Sequence, residues 1–429
     1  MRRRTKNWVA PYPRKDKNMA VMEQSDTPQP TLEEILKRAE GMLPALRERA
    51  KEAEELRRLP DATVEELYEN GMMRLLQPKR YGGYEMDWAA HAEAARVLAR
   101  ACSSTAWIVS VVGAHAAILA RMPKQCQDDV WGPNQNQVIA TASARKEGTA
   151  RKVDGGYVVA GTWRFASGVD HADWCMVPAP LEAKERGLHD APGFMRVLMP
   201  KSDYTILDTW FVSGVKATGS KDVRCDDVFV PDYRVMDSRA TFAPNPPGAE
   251  VNPDHYLYTL EFGPYFGSSL LGPMLGAAEG AYADYRDITA VREGALFGGK
   301  VAGLAQVQQR LSESAAEIKA ARLMYESNNQ ILHERGVAGV GLTAAELVEM
   351  NRDRAFVAKL LISAVTRLVR QMGAMGLYDD NPVQRHYRDI TAMGTQIAVN
   401  WDRNITPFGK NELGLGADDV GYHQAKKPS

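Results

Sequence analysis

Charge of one sign is what this chain most obviously lacks. Its 429 residues carry 53 Lys and Arg against 54 Asp and Glu, a formal net charge of −1. That balance removes the electrostatic case for a nucleic acid or an anionic membrane as partner. Cysteine is scarce: Cys102, Cys126, Cys175 and Cys225 lie far apart with no C-x-x-C pair. They read as buried thiols rather than a disulfide framework or metal site, which suits a reducing cytoplasm. His91, His189, His255, His386 and His423 fall in no ligand spacing, so no metal is expected. No G-x-G-x-x-G follows a strand pattern, which argues against a nicotinamide dinucleotide on this chain. Arg2–Arg4 are basic, but no apolar stretch follows as in a secretory signal. The uncharged run Ala101–Ala120 is long enough for a membrane span. Its Ser103, Ser104, Thr105, Ser110 and His115 are too polar for lipid, and the run is read as a buried helix.

What is present divides by its periodicity. Residues 1–30, rich in proline and charge, read as a disordered tail in which Met19 or Met22 offers an alternative start. Residues 31–135 predict a helical domain. Thr31 and Glu34 form a capping-box pattern for a helix to about Arg58, which Pro44 should kink or interrupt. Asp61 or Thr63 caps the next helix, Gly71 closes it, and Trp88–Ala101 forms another. Residues 136–236 change to short alternating runs (Val138–Ser143, Tyr157–Ala160, Trp174–Pro178, Met195–Met199, Tyr204–Trp210, Val223–Val230), a β domain of sandwich or barrel type. Residues 237–265, dense in Pro, Asn and Gly, read as a linker or a loop over a site. Residues 266–429 return to helical period, with helices at 268–290, 298–335, 343–375 and 382–404 forming a four-helix bundle.

One stretch organises the rest. In Gly155–Trp174 a Gly-Gly turn leads into a strand in which Trp163 and Phe165 alternate with polar neighbours, and it ends at Ala166-Ser167-Gly168. On residues alone this is an ordinary hairpin with a polar turn, or a site for a flat hydrogen-bonding ligand.

The order helical domain, β domain, four-helix bundle resembles the acyl-CoA dehydrogenase fold, an α+β architecture. Supporting motifs are Pro78-x-x-Tyr81-Gly-Gly, Thr218-Gly-Ser220-x-Asp222-Val223 through Val230-Pro231, Phe297-Gly-Gly-Lys300 with Gln306, and Arg385-x-x-Arg388-Asp389. Within that fold the chain is most similar to the flavin-dependent monooxygenases. These are the oxygenase components of two-component systems, such as p-hydroxyphenylacetate hydroxylase and the steroid-degrading phenol hydroxylases. The resembling residues are Trp107 with Gly113-Ala-His115, Ala142-Ser143, Gly161-x-Trp163-x-Phe165-x-Ser167-Gly-x-Asp-His171, and Trp210 through Asp222. A dehydrogenase of this fold needs a carboxylate base beside the flavin. The stretch after Arg388-Asp389, Gly394–Ala398, contains no acid, although a second lineage keeps its base elsewhere.

The resemblance implies an enzyme that takes reduced flavin (FADH2 or FMNH2) from a separate flavin reductase and oxygenates a small organic substrate with O2, through a flavin C4a-hydroperoxide. It also implies a homotetramer. His115, by itself a buried histidine satisfied by a carbonyl, is implied to donate a hydrogen bond at the flavin edge. Ser143 and Ser167 are implied to reach the flavin or the substrate oxygen, and Trp163 is either core or a wall of the ring pocket. Arg292, Lys300 and Gln306, ordinary helix-start residues otherwise, are implied to clamp flavin, their own subunit's or a neighbour's. Gln396 stands where phenol-hydroxylating relatives carry a histidine; an amide cannot take a proton near neutral pH. The alternatives are an FAD-dependent acyl-CoA dehydrogenase and a catalytically degenerate scaffold of the same fold.

Overall fold

The computed structural model describes residues 29–180, 194–294 and 298–416. The expectations for the tail before residue 29, for Phe297 and for His189 and His423 lie outside that set.

Helix α1 (Leu32–Glu48) opens on the expected reciprocal cap. Thr31 Oγ1 accepts from the Glu34 N–H at 3.2 Å, and the Glu34 carboxylate accepts from the Thr31 N–H at 2.7 Å. Pro44 does not interrupt it: the ring is exposed and the helix runs on past it to Glu48. The break comes instead at Arg49, before α2 (Ala50–Leu56). α3 (Asp61–Glu69) begins after Pro60 with no side-chain cap, so neither Asp61 nor Thr63 serves as one; Gly71 ends it at φ +73° as expected. α4 (Trp88–Ala99) precedes the uncharged run, which forms α5 (Ser103–Trp107), a π turn (Ile108–Val112) and α6 (Gly113–Ala120) in succession. The run Ser103–Ala120 is apolar and long enough to cross a membrane, yet 83% of it is buried within the protein. α7 (Lys124–Trp131) completes the helical layer.

Among the described residues seven strands follow: β1 (Ile139–Val153), β2 (Gly156–Ala166), β3 (Trp174–Pro180), β4 (Phe194–Pro200), β5 (Thr205–Leu207), β6 (Lys221–Pro231) and β7 (Val235–Asp237). Their spatial order is β5-β6-β2-β1-β3-β4-β7. β1 joins two wings, since Ile139–Thr141 pairs parallel with β3 and Ala142–Val153 pairs antiparallel with β2. The wings fold over a shared core containing Val159, Trp163 and Val223 from one and Cys175, Val177 and Val197 from the other. The order is open at both ends, which makes this a sandwich and not a barrel. β1 outruns its predicted length because the residues from Glu147 to Lys152 are mostly polar and hide the alternation, whereas β2 ends at Ala166, where the strand through Trp163 and Phe165 is expected to end. Gly148 and Gly161 face each other in that extension at φ +147° and +158°, and a Cβ on either would stand 2.9 or 2.8 Å from the Trp163 ring.

The segment after β7 is more than a linker. It contains α8 (Ser238–Phe242), α9 (Tyr256–Thr259) and α10 (Gly263–Gly267). The buried Arg121 binds it, donating to Thr241 O at 2.7 Å, Leu257 O at 2.8 Å and Ala243 O. The bundle then comprises α11 (Leu271–Val291), α12 (Ala305–Val337), α13 (Ala344–Gln371) and α14 (Pro382–Met393), with α15 (Trp401–Glu412) beyond. The last helix was expected to continue to 404. It stops at Met393, and Asn400 starts α15 by accepting from the Arg403 N–H at 3.1 Å.

Gly272, Gly276 and Gly280, four residues apart, let α11 lie directly on the backbone of α4 and the residue after it. A Cβ at Gly276 would meet Arg96 O at 1.9 Å. Gly276→Ala is therefore expected to lower unfolding free energy by about 1–3 kcal/mol or more, read from urea denaturation midpoints. An unchanged midpoint would mean that the two helices separate freely.

Candidate active site

Alternation along β1 puts Ile139, Thr141 and Ser143 on one face, while Ala140 and Ala142 point into the sandwich. Ile139 belongs to the apolar cluster shared with α6, α7 and the segment from Leu257 to Tyr265, so this face looks toward the helices. His115, on α6, meets it. Its Nδ1 lies 2.7 Å from Ile139 O and its Nε2 3.0 Å from Thr141 Oγ1. A carbonyl can only accept, so Nδ1 carries the proton, Nε2 is a bare acceptor and the Thr141 hydroxyl donates to it. Burial pushes the imidazole down to about 4, so it is neutral at physiological pH. The expectation of a donating imidazole at the flavin edge is thus corrected: the Ile139 carbonyl holds the only N–H, and His115 acts as an acceptor through Thr141.

Ser143 is exposed on the same face. In the register that pairs Ala142 with Ala166 and Ala144 with Arg164, it stands opposite Phe165. Phe165 has φ +67°, costly for an aromatic residue, and lies where the β2–β6 pairing slips between Trp163 and Ala166. The irregularity leaves the ring 51% exposed and edge-on to Trp210 at 6.3 Å. Trp163 goes the other way. It is fully buried in the sandwich and its Nε1 donates to Pro178 O at 2.7 Å. Of its two readings, the structure takes core over pocket wall, and Phe165 is the aromatic side chain left facing outward.

Ser167 begins a directed chain of hydroxyls. Thr218 Oγ1 donates to Val215 O at 2.9 Å. Its proton being used there, the 2.7 Å contact with Ser220 Oγ must have Ser220 as donor, and the 2.7 Å contact of Ser220 with Ser167 must have Ser167 as donor. Trp107 Nε1 donates to Ser167 at 3.2 Å. Ser167 is left with a single free lone pair and no proton to give. The end of the chain is fixed from the bundle. Val215, at φ +46°, gives its N–H to Asp389 Oδ1 at 2.6 Å, while Arg388 pairs with Glu54 at 2.8 Å and reaches Ser213 O at 2.9 Å.

Three comparisons show the family to which the chain belongs. The family models described as "Acyl-CoA dehydrogenase, N-terminal domain" and "Acyl-CoA dehydrogenase, C-terminal domain" match residues 32–134 and 269–401. The chain is 35% identical over 388 residues to the flavin-dependent monooxygenase oxygenase subunit HsaA of Rhodococcus jostii (strain RHA1), covering 90% of this chain and 100% of that one. The chain belongs to the flavin-dependent monooxygenases of the acyl-CoA dehydrogenase fold. It is also 33% identical to an FADH(2)-dependent resorcinol hydroxylase, oxygenase component, of Rhizobium sp. (strain MTP-10005), covering 89% of this chain and 94% of that one. The solved structure of 3-HSA hydroxylase from Rhodococcus sp. RHA1 superposes with a TM-score of 0.84 at 35% identity, covering 90% of this chain and 98% of that one.

In this monooxygenase Arg292, Lys300 and Gln306 lie apart from Ser167. Ser110, in the π turn, hydrogen-bonds Ser269 O, just before α11, and α11 then runs about 30 Å at 1.5 Å per residue before Arg292. Arg292 donates to Met372 O and Gln371 O at 3.1 and 3.2 Å, closing the end of α13. Lys300, bridged through its backbone to Glu293, and Gln306, on the first turn of α12, are exposed. Gln396 is not on a helix. It is half-buried in the α14–α15 connection, where its Oε1 accepts from the Ala398 N–H at 2.5 Å. Thr141, Phe165, Thr218 and Ser220 were not singled out as site residues from sequence. Thr141 had a signal, two residues before Ser143 on the same strand face.

Burial also sets a pH response. His91, His115 and His255 are each pushed down to about 4 from an ordinary 6.5. Between these values the unfolded chain binds more protons than the folded one, so stability falls as pH drops through the window. The expected result is a fall in denaturation midpoint from pH 6.5 to 5, with each histidine contributing about 1.4 kcal/mol per pH unit at most. A flat profile there would contradict the buried neutral state.

Proposed function

We propose that this oxygenase binds reduced flavin, FADH2 ahead of FMNH2, delivered by a separate reductase, and transfers one atom of O2 to an aromatic substrate. The observation that carries this reading is the polarity of the hydroxyl chain. Reduced flavin presents an N–H at N5, whereas oxidised flavin presents a lone pair. Ser167, with a free lone pair and its proton committed to Ser220, fits the reduced form. The exposed Phe165 ring and Ser143 beside it supply the flat wall and the hydroxyl expected around such a ring. The FADH(2)-dependent relative supports FADH2 as the form used.

When bound, reduced flavin supplies the two electrons and the carbon that takes up O2; one oxygen atom enters the substrate and the other leaves as water. The chain's own groups position and shield. Thr141, donating inward to His115, offers its remaining lone pairs to a substrate hydroxyl. An imidazole near 4 is about six pH units too weak to ionise a phenol of pKa about 10, and Gln396 cannot accept the proton. The substrate therefore reacts as a neutral phenol, another electron-rich ring or a heteroatom.

Arg292, Lys300 and Gln306, a helix length from Ser167, are proposed to reach a flavin held mainly by a neighbouring subunit, in a homotetramer. The four free cysteines support a reducing compartment such as the cytoplasm as the site of action. The test is oxygenation that depends on a reductase. The chain with NADH alone should be inert, and a reductase releasing FADH2 should restore O2 uptake and product.

A further inference from the structure

Two arginines sit near the helix-facing side of the sandwich, Arg121 fully buried and Arg196 half-buried, and they are satisfied differently. Arg121 spends its guanidinium on three backbone carbonyls. Arg196, on β4, has a fully buried Nε with no partner. Among the described residues no carboxylate pairs with it; its contacts are the Phe242 ring, 4.8 Å from the guanidinium carbon, and Met176 Sδ at 4.0 Å. A buried guanidinium N–H without an acceptor is costly, and an anion that reaches this half-buried group supplies one.

Its position says where that anion comes from. Thr141 pairs with Met176, Met176 with Leu198, and Pro178 with Arg196. Paired residues share a face, so Arg196 projects on the same side as Thr141 and Ser143, two strands away or about 10 Å at 4.8 Å per strand. Its contact with Met176 lies on the β1 side of β4. The rings close the gap: Phe242 lies 6.0 Å from Phe266, and Phe266 lies 5.9 Å from His115. Burial pushes the guanidinium down to about 10, still cationic at neutral pH.

We infer that Arg196 is the anion-recognising residue of the substrate site, and that the substrate is an aromatic compound carrying a carboxylate at the end of a short side chain. With the reacting ring beside Thr141 and Ser143, such a tail spans the distance to Arg196. The inference rests on the oxygenase reading, but binding tests it separately. The anaerobic complex with FADH2 is titrated with para-hydroxyphenylpropanoate and with its uncharged carboxamide. Wild type should bind the carboxylate about 30-fold more tightly. Arg196→Met should erase that preference by weakening the carboxylate alone, and Arg196→Lys should retain part of it. Equal binding of the pair by wild type, or an undiminished preference in Arg196→Met, overturns the inference. If Arg196→Met fails to bind FADH2, Arg196→Gln replaces it under the same criteria. A preference that depends on Arg196 with no oxygenated product from either compound would sink the oxygenase reading while leaving the anion site standing.

Discussion

Replacing Ser220 with alanine should change which redox state of flavin the protein prefers. In the wild type, Ser167 must donate to Ser220, because Ser220 must donate to Thr218 and Thr218 to Val215 O. Removing the middle hydroxyl frees the Ser167 proton to turn toward the flavin. The oxidised ring, which offers a lone pair at N5, then gains a donor it lacked. One hydrogen bond of about 1–3 kcal/mol corresponds to roughly 5- to 150-fold in affinity. The ratio of oxidised to reduced dissociation constants should therefore fall by about tenfold or more in Ser220→Ala, mostly through tighter binding of oxidised flavin. Paired titrations under anaerobic and aerobic conditions measure it. An unchanged ratio would mean that Ser167 does not face N5.

The second large effect concerns how much oxygen reaches substrate. His115 and Thr141 form a buried pair in which neither partner has a good substitute. His115→Ala removes the acceptor of the Thr141 hydroxyl and opens a space that admits water beside the reacting oxygen. A site that loses its hold on activated oxygen releases it as H2O2. Coupling of NADH oxidation to product should drop by about tenfold or more, with flavin affinity retained and H2O2 making up the difference. Ser167→Ala should uncouple in the same direction. Thr141→Val, which keeps the volume and deletes the hydroxyl, separates hydrogen bonding from packing: uncoupling in both His115→Ala and Thr141→Val assigns the effect to the hydrogen bond. Full coupling in both variants would return the pair to a structural role.

Much of this was legible before any coordinates, and the rest was not for identifiable reasons. The capping box at Thr31, the Gly71 stop and the short apolar runs that become β3 and β4 are local signals, and they hold, although β3 is buried on both faces rather than alternating. The buried run Ser103–Ala120 could be told from a membrane span because its polar residues need partners, which Ser110 and His115 find. Phe165 and Trp163 were not separable from sequence. Two residues apart in a strand, they should share a face, and only the slip in pairing with β6 sends Phe165 outward. Nor could sequence supply the donor direction at Ser167. That depends on Val215 O, on a residue with positive φ held by Asp389 from a helix 174 positions away. Gln396 was misplaced because the stop at Gly394 and the Asn400 cap together look like one continuing amphipathic pattern. The role of Arg121 was invisible for the opposite reason, since its partners are backbone carbonyls that leave no sequence trace.

The most direct test of the whole account is the fate of labelled oxygen in a single turnover. The protein is loaded anaerobically with reduced FAD and an electron-rich aromatic substrate, then mixed with doubly labelled O2 in unlabelled water, with no nicotinamide present. One labelled oxygen atom per flavin should appear in the product, and oxidised flavin should accumulate in equal amount. Product carrying solvent oxygen, a desaturated product, or quantitative H2O2 with every substrate class tried would contradict it.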